Sequence, residues 1–142
     1  MLRRMMLRGP MLAAVALAGA AQAAEGMVFG CMPLRAKGEQ QIEAYIDGFV
    51  PGDYPPSKIE SIRVLARFGA DVYEFFPEHV KQIELSGGAL RIHLLQPLSA
   101  GAVAEMRIEG NLAAKKGGEA PMQVWLRNER REARGDVRCT IE

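Results

Sequence analysis

The 142-residue chain has only two cysteines, one tryptophan and two histidines, and each scarcity closes off a class of chemistry. Two cysteines far apart, Cys31 and Cys139, make no C-x-x-C pair and so lack the usual zinc and dithiol-redox spacing. The strings G-x-S-x-G and H-E-x-x-H and the phosphate-binding loop are absent. His93 and a carboxylate pair such as Glu105 and Glu109, which alternation sets on a solvated strand face, complete no recognisable acid–base or nucleophilic set. The chain therefore reads as a non-enzyme with no cofactor. Basic charge is lacking too. The formal net charge is +1, and no basic face or stripe marks a nucleic-acid binder.

Long apolar runs are also missing. The main apolar stretch, Met11–Ala20, is about half the roughly 20 residues a spanning helix requires. What surrounds it explains it. Arg3, Arg4 and Arg8 precede it without an acid, and Ala21-Gln22-Ala23 follows as an A-x-A site. Residues 1–23 thus read as a cleavable export signal, and residues 24–142 as one domain of the mature chain. The pair Arg3-Arg4 resembles a twin-arginine signal, although an Arg-rich start is equally ordinary for the general secretory route. Losing the three signal arginines leaves 15 basic against 17 acidic side chains, so the mature domain is slightly acidic. Its destination is the periplasm or the exterior. There an isolated cysteine pair is most simply a disulfide, here Cys31–Cys139 joining the two terminal segments, in preference to acylation of Cys31.

The rest is β-patterned. Glycine and proline clusters recur between short segments that alternate apolar and polar residues, as in a sandwich or barrel. Gly87-Gly88 predicts a two-residue hairpin in which Leu85 opposes Leu90, Glu84 opposes Arg91, Ile83 opposes Ile92 and Gln82 opposes His93. Further strands are expected around residues 62–68, 105–112 and 122–127, with a last strand from Asp136 to Glu142. Residues 40–49 fit either a strand or a short helix, with the strand favoured by its neighbours. Residues 71–76 fit a strand or a helical turn stopped by Pro77. The expected fold is all-β, an antiparallel sandwich of about seven strands, immunoglobulin-like in shape.

Candidate binding residues follow from position. Arg127, Arg130, Arg131 and Arg134 lie in a charged stretch read as a loop between the last two strands, suited to an acidic partner or headgroup. Trp125 falls on the outward side of its strand, where it would anchor a partner. Tyr54 sits in a proline-stiffened loop that would present it. Three functions are consistent with these features. The first is a non-enzymatic protein binding another envelope protein or a surface ligand. The second is a small-ligand carrier or inhibitor. The third is a copper-handling protein using Met27, Cys31 and Met32, which would require Cys31 to be reduced.

Overall fold

In the computed structural model, which describes residues 26–142, the chain is all-β and antiparallel. The expected export signal lies outside the described residues. Nine strands follow in order: β1 (Met27–Pro33), β2 (Ile42–Val50), β3 (Glu60–Phe68), β4 (Asp71–Phe75), β5 (Val80–Ser86), β6 (Ala89–Pro97), β7 (Val103–Asn111), β8 (Ala120–Arg127) and β9 (Glu132–Ile141). They form one sheet in the order β4-β3-β2-β1-β9-β8-β7-β6-β5. The expectation of about seven strands in two facing sheets is thereby modified. Two meanders run outward from a central seam where the first and last strands pair, and the sheet curls into a half-barrel. Alternation reveals which face of a strand is buried, and it is silent on which strands are neighbours.

Local sequence does specify much of the register. The β5–β6 hairpin turns at Gly87 and Gly88, both at positive φ (59° and 86°), where glycine avoids a Cβ clash. All the cross-strand partners expected for this hairpin are observed. The segment around residues 40–49 resolves as a strand, β2 over Ile42–Val50, and residues 71–75 form β4, followed by a 3₁₀ turn at Pro77–His79. Inside that turn the His79 Nδ1 accepts the Phe76 N–H at 2.9 Å, so this histidine serves the backbone. The inward side chains of β1–β4 and β6–β9 fill the concave face, with Phe29, Phe75, Leu94, Met106, Ile108 and Leu126 fully buried.

Three devices hold the curl. Cys31 and Cys139 face each other across the β1–β9 seam and are joined as a disulfide, tying the two meanders together. Past the end of β1, the Leu34 N–H still donates to the Asp136 carbonyl at 3.0 Å, and the side-chain amide of Gln40 reinforces that point: its Nε2 donates to the same carbonyl at 3.1 Å, and its Oε1 accepts the Asp136 N–H at 3.2 Å. At the open side, Gln96 Nε2 on β6 donates to the Glu74 carbonyl on edge strand β4 at 2.7 Å.

The two outer faces differ sharply. Among the described residues, eight large apolar side chains are exposed, and seven belong to the β1–β4 arm or the loop after β1. Only Val103 lies on the β5–β9 arm. That second arm carries outward rows of paired charge instead.

Candidate functional site

The outward row of the central β5–β9 strands reads Gln82, His93, Arg107, Trp125, Arg134, each directly opposite the next. Beside it runs Leu95, Glu105, Arg127, Glu132. Glu105 was expected on a solvated face, and its parity is indeed outward. Its neighbours nonetheless cover it, leaving the residue only 8% exposed. Its Oε2 meets His93 Nε2 at 2.6 Å and Arg107 Nη2 at 3.4 Å, while Oε1 accepts from Arg127 Nη2 at 2.6 Å.

Burial acts to raise the Glu105 pKa, but the hydrogen bonds and positive charge of His93 and Arg127 outweigh it and hold the carboxyl below the ordinary glutamate value. The unfolded chain then takes up this proton at a higher pH than the folded one. The stabilisation is complete above about pH 4.3, the ordinary value, and is lost as pH falls through the lower folded value. Glu105→Gln is expected to cost about 1 kcal/mol at pH 7, kept modest because Arg107 and Arg127 are half exposed and screened. Urea unfolding at pH 7 and at pH 3 should show the difference shrinking in acid. A variant whose stability parallels the native protein at both pH values would refute the role given to this carboxylate.

The anchored guanidinium groups in turn frame Trp125. Arg107 lies 4.9 Å and Arg127 5.4 Å from the indole ring centroid, both within cation–π range. The indole N–H donates to Glu132 Oε2 at 2.9 Å. Trp125 is therefore half-buried, neither free on the surface nor sealed beneath a loop. Arg107, Glu109, Gln123, Trp125, Glu132 and Arg134 line a groove of about 320 Å³. A second groove of about 270 Å³ adjoins it along Glu84, Arg91 and His93.

The charged stretch of candidate residues divides among several structural roles. Arg127 ends β8, and Glu132–Arg134 already belong to β9, so the last strand starts four residues before its expected Asp136. The turn itself is only residues 128–131, closed by Asn128 Oδ1 accepting the N–H groups of Arg130 and Arg131 at 2.9 Å each. Arg131 reaches across the curl to Asp71 Oδ2 at 3.0 Å and lies over the Phe68 ring at 4.1 Å. It pins the turn to the β3–β4 hairpin, aided by Asn128 Nδ2 donating to the Tyr73 hydroxyl at 2.6 Å. Arg134 bonds Gln123 Oε1 at 3.2 Å, and Arg130 is exposed at the tip. Tyr54 lies at the other end of the barrel, where its hydroxyl donates to the Ala113 carbonyl and its ring packs against the core. The site thus unites Trp125, Arg127 and Arg134 with Arg130 nearby, leaves Tyr54 apart, and adds Glu105, Arg107 and His93. From sequence His93 and Glu105 have no identifiable partners and Arg107 gives no signal, because the β6–β7 connection fixes no register; the structure sets His93 opposite Arg107 and in contact with Glu105.

The remaining candidates are placed as follows. Met27 and Cys31 face the core with Cys31 bridged, while Met32 faces solvent, so the three do not converge. Among the described residues no group of three His, Cys, Asp or Glu side chains could hold a metal ion. The cavity beneath Tyr54, bordered by Phe29, Met122 and Cys139, has about 10 Å³, close to one water probe. No protein-family model, curated protein or solved structure matches the chain.

Proposed function

We propose that this is an exported, non-enzymatic protein that binds another protein of the cell envelope through the outer face of β7–β9. The observation that carries this reading is the Arg107–Trp125–Arg127 stack held on buried Glu105. An aromatic anchor flanked by immobilised arginines is the residue set in which interface energy concentrates, and prior ordering lowers the entropic cost of docking. Each guanidinium engages Glu105 through one nitrogen, and both side chains remain about half exposed, which leaves further donors for a ligand. Those donors suit a carboxylate on the partner, which Arg130 at the turn tip and Arg134 on the groove wall would also attract. A binding role is supported by the engagement of both Glu105 oxygens, Oε1 by Arg127 and Oε2 by His93 and Arg107. The export signal and oxidising compartment remain the reading of residues 1–23 and of the disulfide.

Site-specific photo-crosslinking in cells tests this. A benzophenone side chain at Arg134 or Arg130 is expected to trap one discrete partner adduct, lost on Trp125→Ala or Arg127→Glu. The same probe at Lys116, exposed in the loop between β7 and β8, should not give it. The reading fails if neither position yields an adduct, or if Lys116 yields the same one. Because Trp125 is the sole tryptophan, its fluorescence reports binding at this site directly with the purified partner.

A further inference from the structure

The other outer face, on β1–β4, has a self-complementary layout. At its crest β2 and β3 pair with Tyr45 opposite Leu65 and Asp47 opposite Arg63. Tyr45 is 48% and Leu65 43% exposed, and Met32 on β1 adds another half-exposed apolar side chain. Apolar side chains clustered on one outer face mark an interaction surface more strongly than scattered ones. The charges differ from those on β5–β9 as well. There the outward charges bond one another, whereas among the described residues neither Asp47 nor Arg63 forms an ion pair. Arg63 instead lies over the Phe76 ring at 5.8 Å.

We infer that this face binds a second copy of the same chain, giving a two-fold symmetric dimer. Consider an axis parallel to the strands and midway between β2 and β3. Rotation by half a turn lays β2 of each copy over β3 of the other, without displacement along the strand. Every cross-strand pair is thereby converted into an intermolecular one. Tyr45 meets Leu65 of the second copy, and Asp47 meets Arg63 of the second copy, twice each by symmetry. On the two central strands acid therefore faces base, and apolar faces apolar, at the roughly 10 Å spacing of stacked sheets. A face bearing the same charge on both strands would repel its own copy; this one does not. Four strands about 4.8 Å apart and seven residues about 3.4 Å apart give a face of roughly 19 by 24 Å. That is small for a permanent interface, and the outer side of a half-barrel is convex, so a weak dimer with a Kd of about 10–100 µM is expected.

Sedimentation velocity across about 1 µM to 1 mM, on the purified protein as the cell processes it, tests the arrangement. The native protein should shift from monomer to dimer. Asp47→Arg and Arg63→Asp should each weaken association at least about 10-fold, since each places like charges in contact at two symmetric positions. Mixing those two variants should restore it. In the mixed dimer both 47–63 contacts pair an acid with a base, although neither chain's own sheet has been repaired. This separates docking from folding defects. The inference is overturned if the native protein stays monomeric throughout, if its dimer is indifferent to both substitutions, or if the mixture associates no better than its components.

Discussion

Replacing Cys31 and Cys139 together with alanine is expected to remove about 4.7 kcal/mol of stability. The two residues are 108 apart in sequence, and in the chain-entropy model a loop of that size costs the unlinked, unfolded chain this much order to close. For a domain of this length the melting temperature should fall by on the order of 15–20 °C. The location determines where the loss is felt. The β1–β4 meander joins the β5–β9 meander by hydrogen-bonded strand pairing only at the β1–β9 seam, and the bridge spans that seam. Calorimetry on the double variant gives the magnitude. Hydrogen exchange should find the β1 and β9 amides losing protection before those of the β5–β6 hairpin. A melting temperature within a few degrees of the native value would show that the seam holds without the covalent link.

The second large effect concerns Gly135, an inward-facing residue of β9. A Cβ added there would lie 2.5 Å from Ile42 Cγ2 and 2.7 Å from the Ile42 carbonyl oxygen. The methyl group could rotate aside, but the carbonyl belongs to the β2 backbone. Moving it would disturb the nearby Gln40 amide, which bonds the Asp136 backbone beside Leu34. Gly135→Ala is therefore expected to cost about 3 kcal/mol, the upper part of the range for overpacked cores. Gly30→Ala is the matched control. It is also a strand glycine, but its added Cβ would meet nothing within 4 Å. Relief of glycine's conformational freedom should leave it neutral or stabilised by about 0.5 kcal/mol. Denaturant unfolding of both variants decides the matter, and equal stabilities would sink the packing argument.

Several features are legible in the amino-acid sequence. The Gly87–Gly88 turn specifies five cross-strand pairs because a two-residue loop permits only one register. Alternation identifies Val137, Cys139 and Ile141 as inward-facing, and all three are buried. Leu65 breaks the alternation of its strand, and that anomaly belongs to an exposed apolar row. Glu105 is not legible in the same way. Its parity says outward, and its burial depends on His93, Arg107 and Arg127 arriving from three strands.

By itself, then, the sequence determined the β character, the inward and outward faces of most strands, one hairpin register and the disulfide pairing. These are set by neighbours in the chain, by turn chemistry, or by there being only two cysteines to pair. Tertiary structure alone decided that the strands form one curled sheet, that Glu105 is a buried hub, and that Arg131 bonds across the curl to Asp71 while Arg127 bonds Glu105. It also set the β1–β4 face apart from the charged one. Each of these depends on which strands become neighbours, and long-range pairing is set by the summed packing of the whole core, which no local pattern encodes.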